Sequence, residues 1–294
     1  MEKEIIQKQV ELIKESVKIG RLFQSDIDRL GGIVLSNSKE YLIRVTNLNI
    51  YKFHIEIFFD YVDFLSGRLA KDKSDDSQYY VPLLRTLLDI YIELLYLVNQ
   101  PFEWQAFYCV GNHLFILAKN IKSYPSGGEK ERQRLIELYY SECQFSMELI
   151  KGSSIPLDPY KFSKKKLDEL GILLPAREEI LKPSKKYFEG CSETTRKLFS
   201  TITPDNFYEE YRWLSDYVHG NIYSLMKKSS KKVNERNWII SKLNVYSTLM
   251  IELVNKKITG ESRKKECENW ISNCQKERGN FAYYWFNKKM GIMS

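Results

Sequence analysis

The stretch VPLLRTLLDIYIELLYLV, residues 81–98, decides the fold class. Wound as a helix at ~100° per residue it is apolar almost all round, which suits a core helix and not a surface one. Arg85, Asp89, Glu93 and Tyr96 nevertheless recur on one side of it. Charges on a buried helix need partners or a wet cleft. They also make the segment a poor membrane span. Two arrangements satisfy the charges. Either the stripe faces a second polar helix, or Arg85 and Asp89 pair with each other four residues apart and merely reach the surface.

The flanking segments share the helical period. Upstream, Leu42, Val45, Leu48, Tyr51, Ile55, Phe58, Val62, Leu65 and Leu69 step by three and four. That spacing predicts one long helix to residue 70 or so, opened by Asn37 and Glu40 as a capping box. His54 sits beside this stripe and reads as a partly buried structural histidine. Nearer the N-terminus, Ile5, Val10, Leu12, Ile13 and Val17 mark an amphipathic helix that LGG at 30–32 interrupts. Downstream, Pro82 and Pro101 suit helix starts, and SYPSGGE separates two further helical patterns. Four of the eight prolines fall between 152 and 190, at Pro156, Pro159, Pro175 and Pro183, so that region reads as an irregular insertion. Thr203 and Pro204 then open a helix that Gly220 weakens near its end. Two long helical patterns follow, NERNWIISKLNVYSTLMIELVNKK and ESRKKECENWISNCQKERGNFAYYWFNKKM. No run alternates convincingly with period two, so the expected class is all-α.

Composition agrees. With 43 % hydrophobic residues the chain is globular and not disordered. Scarce glycine (14) and proline (8) mean few turns and long elements. A formal charge of +7 is a mild basic bias, compatible with a polyanionic partner. The five cysteines form no CxxC and no zinc-ligand spacing, which points to reduced thiols, no bound metal and a cytoplasmic protein. The N-terminus is charged throughout, so no secretory signal is expected. Without GxxxxGK[ST], HExxH or GxSxG, nucleotide hydrolysis, zinc proteolysis and serine esterase chemistry have no support, and no cofactor is implied.

The residues able to carry chemistry lie in YRWLSDYVHGN, 211–221, which holds His219, one of only three histidines. On a helix, Arg212, Ser215, Asp216 and His219 fall in one narrow arc, and Tyr211, Leu214 and Val218 form an apolar arc beside it. Such an arc can cleave RNA without metal. The imidazole takes a proton from the 2′-hydroxyl, and the guanidinium steadies the phosphoryl charge. The same spacing describes an exposed helix face, where an Arg–Asp pair contributes only about 0.3–0.5 kcal/mol. Lys227, Lys228, Lys231, Lys232 and Arg236 follow at once. They suit an RNA-docking surface or a solvated loop that also satisfies a helix C-terminus. NFAYYWFNKKM at 280–290 is the densest aromatic cluster, suited to packing on the bundle or on a second subunit.

LLRTLLDIYIELLYL (83–97), followed far downstream by YRWLSDYVHGN, resembles the HEPN superfamily of helical bundles. More narrowly it resembles a bacterial branch with an R-x-L-L-[DE] helix and a Y-x-x-L-S-x-x-[VA]-H helix. The resemblance covers residues 76–255, with 121–203 as an insertion, 1–75 as an N-terminal helical extension and 256–294 as a C-terminal basic and aromatic helix. It implies a bundle of four or five helices and, in many members, a metal-independent endoribonuclease whose chains pair to build the cleft. Arg212 and His219, with six residues between them, match the family's arginine–histidine motif. The implied roles are phosphate stabiliser for Arg212 and acid/base or orienting group for His219, with Ser215 and Asp216 in support. Trp213 departs from the polar residue, often Asn, that usually follows the arginine, and some members keep the bundle without the chemistry. Two functions are therefore expected. The first is an RNA-cleaving toxin or antiphage effector acting as a homodimer, with RNA and a partner protein of a defence or toxin–antitoxin system as ligands. The second is a non-catalytic helical module that binds protein or nucleic acid, such as a regulatory subunit of a defence system. Neither involves a membrane.

Overall fold

The computed structural model describes residues 2–32, 41–71, 80–124, 128–151, 165, 169, 211–215, 218 and 235–289. The chain is all-α. Helix α1 is Glu2–Gly32, α2 is Tyr41–Lys71, α3 is Val81–Val98, α4 is Phe102–Ser123 and α5 is Glu129–Lys151. Helix α6, Glu235–Leu253, runs into a π-helical turn, Val254–Ile258, and α7 is Lys264–Lys289. Residues 211–215 are also helical. Among the described residues no helix is long and apolar enough to cross a membrane. The capping pair Asn37 and Glu40, the proline-rich stretch 152–190, the helix start at Thr203 and Pro204, and Gly220 lie outside the described residues, as do the side chains of the aromatic cluster at 280–290.

Contacts divide the chain into two compact units. Unit 1 holds Met1–Ile27, Lys52–Leu95 and Arg177–Ser294. Unit 2 holds Asp28–Tyr51 and Tyr96–Ala176. Unit 1 thus includes residues 1–27 and the described part of α7.

The unit 1 core takes in members of the predicted stripes, Ile13, Ile55, Phe58 and Leu65, and of the apolar helix α3, Leu84 and Leu87, all of them buried. Phe23 and Tyr246, outside those stripes, are buried with them. Helix α3 behaves as its composition demands, with no fully exposed residue from Val81 to Val98. Gly20 lets α1 approach α2 closely: a Cβ at this position would run into the Phe59 ring. Long-range polar contacts then fasten the sequence ends of the unit. The Arg263 guanidinium donates through Nε and Nη2 to the two Asp26 carboxylate oxygens, each at 2.8 Å. Ser262 Oγ donates to the same carboxylate at 2.9 Å. This bidentate pairing holds the Arg263 pKa above its ordinary value. The Trp270 indole N–H donates to the Leu12 carbonyl at 2.8 Å, and Asn244 Nδ2 donates to Gln9 Oε1 at 2.7 Å.

Unit 2 closes on Ile43, Ala106, Phe107 and Leu149, with Leu42, Ile50, Trp104, Val110 and Phe115 packed against them. Here the α2 stripe departs from expectation. Leu42, Val45 and Leu48 are only half-buried, whereas Ile43, Asn47 and Tyr51 face inward. The polar members of this face are made tolerable by specific partners. Asn47 Nδ2 donates to the Phe102 carbonyl at 2.8 Å, and the Tyr51 hydroxyl bonds to Gln105 Oε1. Burial pushes the Tyr51 pKa well above the usual phenol range. A hydrogen-bonded Asn at a core position breaks an apolar count without breaking the helix.

Candidate functional site

The central contact of the candidate site joins α3 to residues 211–215, both in unit 1. Arg85 is held from three sides. Its Nε donates to Ser215 Oγ at 3.0 Å. Its guanidinium carbon stands 3.5 Å from the centroid of the Tyr211 ring. It is ion-paired with Asp89 one turn along α3. The Arg85 side chain is 11 % exposed and that of Asp89 25 %, so the pair is largely removed from solvent but keeps an outlet to it. Both arrangements expected for the α3 stripe are thus present at once: Arg85 meets a second helical segment and also pairs with Asp89.

Helix geometry explains how residues 211–215 receive this arginine. At ~100° per residue, Ser215 projects between Tyr211 and Arg212. Tyr211 and Leu214 are buried, Ser215 is half-buried and Arg212 is exposed. The Ser215 hydroxyl accepts from Arg85 and donates to the Tyr211 carbonyl at 2.9 Å. With both roles occupied, Ser215 fixes the segment and is not poised as a nucleophile. Val218 is 50 % exposed, so the expected buried arc of Tyr211, Leu214 and Val218 ends at Leu214. Asp216, His219, Lys227, Lys228, Lys231 and Lys232 lie outside the described residues.

The rest of the α3 stripe separates. Glu93 Oε1 is 3.8 Å from His54 Nε2 of α2, also within unit 1. His54 is half-buried, as its place beside the α2 stripe suggested. Tyr96 belongs to unit 2, where its ring meets Tyr108 edge-on with centroids 5.4 Å apart. Arg236 is turned inward. One guanidinium nitrogen donates to the Leu69 carbonyl in the last turn of α2, a cation at a helix C-terminus. Of the proposed basic surface, the one described member is therefore engaged with backbone.

Aromatic contacts complete the surroundings. Trp213 packs on Trp238 of α6, centroids 4.8 Å apart at 73°. Lys242, one turn further along α6, places Nζ 5.8 Å from the Trp238 ring centroid. Both indoles are half-buried. Tyr211 read as an apolar residue, and only the fold reveals it as the plate under Arg85. The single available signal for Trp238 was a tryptophan standing in the polar run NERNWIISK.

Four cysteines are described, all without disulfides: Cys143, Cys267 and Cys274 are buried and Cys109 is half-buried. Burial is the main cause that raises the Cys267 thiol to about 12, and it pushes Cys274 higher still. They are inert core thiols, not nucleophiles.

A family model described as a family of unknown function (DUF5677) matches residues 76–236, over half of the chain. No curated protein and no solved structure matches. The matched span contains α3 and the whole of YRWLSDYVHGN.

Proposed function

This chain belongs to DUF5677, a family of unknown function, and from its own residues we propose that it is a metal-independent endoribonuclease of the HEPN type. The observation that carries the proposal is the Arg85–Ser215 contact. It ties the buried α3 helix to residues 211–215 and leaves the neighbouring Arg212 exposed. In the proposed reaction His219 takes the proton of a ribose 2′-hydroxyl. The 2′-oxygen attacks the adjacent phosphorus, and the 5′-oxygen leaves with a proton. The products are a 2′,3′-cyclic phosphate and a free 5′-hydroxyl. Arg212 balances the charge that develops on the phosphoryl oxygens. Asp216 orients His219, and Arg85, through Ser215, positions the segment. The setting that fits this chemistry is a toxin or antiphage effector working as a homodimer in the cytoplasm, with a defence-system protein as regulator.

RNA cleavage in excess EDTA tests this directly. The wild type should yield 2′,3′-cyclic ends, and His219→Ala or Arg212→Ala should abolish cleavage with the fold intact. Normal cleavage by both variants would show the assignment to be wrong.

A second reading draws on the structural contacts of the same groups. Arg85 is bonded to Ser215, Ser215 in turn to the Tyr211 carbonyl, and Trp213 is packed on Trp238. A helical binding module without chemistry needs nothing more. It requires that folded wild type cleave no RNA, and that alanine at Arg212 alter assembly or stability instead.

A further inference from the structure

We propose that Trp213 and Trp238, flanked by Arg212 and Lys242, form a stacking platform for the bases of single-stranded RNA. The inference deepens the ribonuclease reading and rests on it for the identity of the nucleic acid.

All four residues belong to unit 1, and the two indoles touch. In an edge-to-face pair, the ring that presents its edge keeps its broad faces outside the contact. Both rings are only half-buried, so indole surface reaches solvent. One cation is in contact with the pair and a second is its neighbour in sequence. Arg212 is exposed and adjoins Trp213 in sequence, and Lys242 lies against Trp238. Aromatic surface edged by cations is the combination that binds single strands: bases stack on the rings while their phosphates meet the charges. Lysine suits this place. Its flexible stem can leave the indole as a base arrives and carry its charge to the phosphate. Arg236 is not counted, because the Leu69 carbonyl holds it. Complementarity to a polyanion with flat bases selects single-stranded RNA as the occupant.

The test uses a fluorescein-labelled, fully 2′-O-methylated oligoadenylate 12-mer, which lacks the 2′-hydroxyl and cannot be cleaved. Anisotropy titrations compare the wild-type chain with Trp238→Leu, Trp238→Phe and Lys242→Ala. Wild type should bind with quenching of tryptophan fluorescence. Trp238→Leu should weaken binding about tenfold, and Trp238→Phe should stay within about threefold of wild type because it keeps a ring. Lys242→Ala should lower the slope of log K against log salt by about 0.7, the effect of one lost phosphate contact on a single strand. Should Trp238→Leu fail to fold, the phenylalanine and lysine variants decide. The platform is overturned by absence of binding to wild type, or by a folded Trp238→Leu or Lys242→Ala that binds as wild type does. Inorganic polyphosphate binding with the same dependence on Trp238 overturns it too, since that polymer has charge but no bases. The two readings fail separately. Cleavage of ordinary RNA that is indifferent to Trp238 removes the platform and spares the ribonuclease. Trp238-dependent binding without any cleavage removes the ribonuclease and spares the platform.

Discussion

Replacing Arg85 by Met keeps an unbranched apolar stem and removes the guanidinium. The packing of the stem survives, so the loss reports chiefly on the contacts of the guanidinium. One charge-assisted hydrogen bond to Ser215 disappears, a contact of about 1.5–3 kcal/mol. The stack on Tyr211 is lost as well, about 1 kcal/mol at a partly desolvated site. Asp89 loses its ion-pair partner, but at 25 % exposure water recovers much of its solvation, so this contribution is discounted. The expected destabilisation is about 3 kcal/mol. Urea unfolding followed by far-UV circular dichroism should show a lowered midpoint at unchanged slope. In a double-mutant cycle, Arg85→Met and Ser215→Ala should couple by about 1 kcal/mol, because each removes the other's partner. Arg85→Lys should lie between wild type and Arg85→Met, since an ammonium can reach Asp89 but cannot reproduce the guanidinium's planar stack. A change below about 0.5 kcal/mol for Arg85→Met, or strict additivity in the cycle, would refute the claim that Arg85 fastens residues 211–215 to α3.

Three further outcomes are expected. Gly20→Ala gains about 1 kcal/mol of helix propensity but drives a methyl into the Phe59 ring, at a cost of about 1–3 kcal/mol; thermal melts should show net destabilisation that Phe59→Leu partly relieves, and a stabilised single variant would contradict the contact. Asn237 is buried and, among the described residues, neither of its amide atoms has a hydrogen-bond partner, so Asn237→Leu, similar in size, should raise stability by about 1 kcal/mol, whereas a loss of that size would mean the amide has a partner. Cys267 and Cys274 have raised thiol pKa values, chiefly through burial; the stability they lend is complete below about pH 8, where unfolded thiols are also protonated. Above that, the unfolded chain releases protons that the folded chain retains. The denaturation midpoint should therefore fall between pH 9 and 11, by up to about 1.4 kcal/mol per pH unit per thiol, and a slope unchanged in Cys274→Ala would remove that thiol from the account.

What the sequence made legible is what local period controls. The stripes of α1, the later part of α2 and α3 can be read directly from three-and-four spacing, because burial of one helix face is written into neighbouring residues. Arg85 and Asp89 were conspicuous because charge on an apolar helix demands an explanation. The partners themselves were not legible. Nothing near Arg85 in sequence names Tyr211 as its plate, and Asp26 and Arg263 are separated by 237 positions. The early part of α2 was misread because Asn47 counts as polar until the Phe102 carbonyl is placed beside it. Polar residues also recur on the buried side of α6, at Asn244, Thr248 and Glu252; Asn244 finds its partner on α1 and Thr248 on backbone one turn away. Trp213 drew notice only as a departure from a family pattern, and its contact with Trp238 needed the fold.

The contacts at Gln9, Leu12 and Asp26 bear on the order in which the protein is made. Their partners, Asn244, Trp270 and Arg263, lie 235–258 positions later. At bacterial or eukaryotic synthesis rates of about 5–20 residues per second, α1 waits at least ten seconds or so for them. During that wait its apolar stripe has to be sheltered by α2, by itself or by a chaperone. Pairings so distant in sequence also close late in folding. Unit 1, which draws on both Met1–Ile27 and Arg177–Ser294, therefore cannot close until nearly the whole chain has been made.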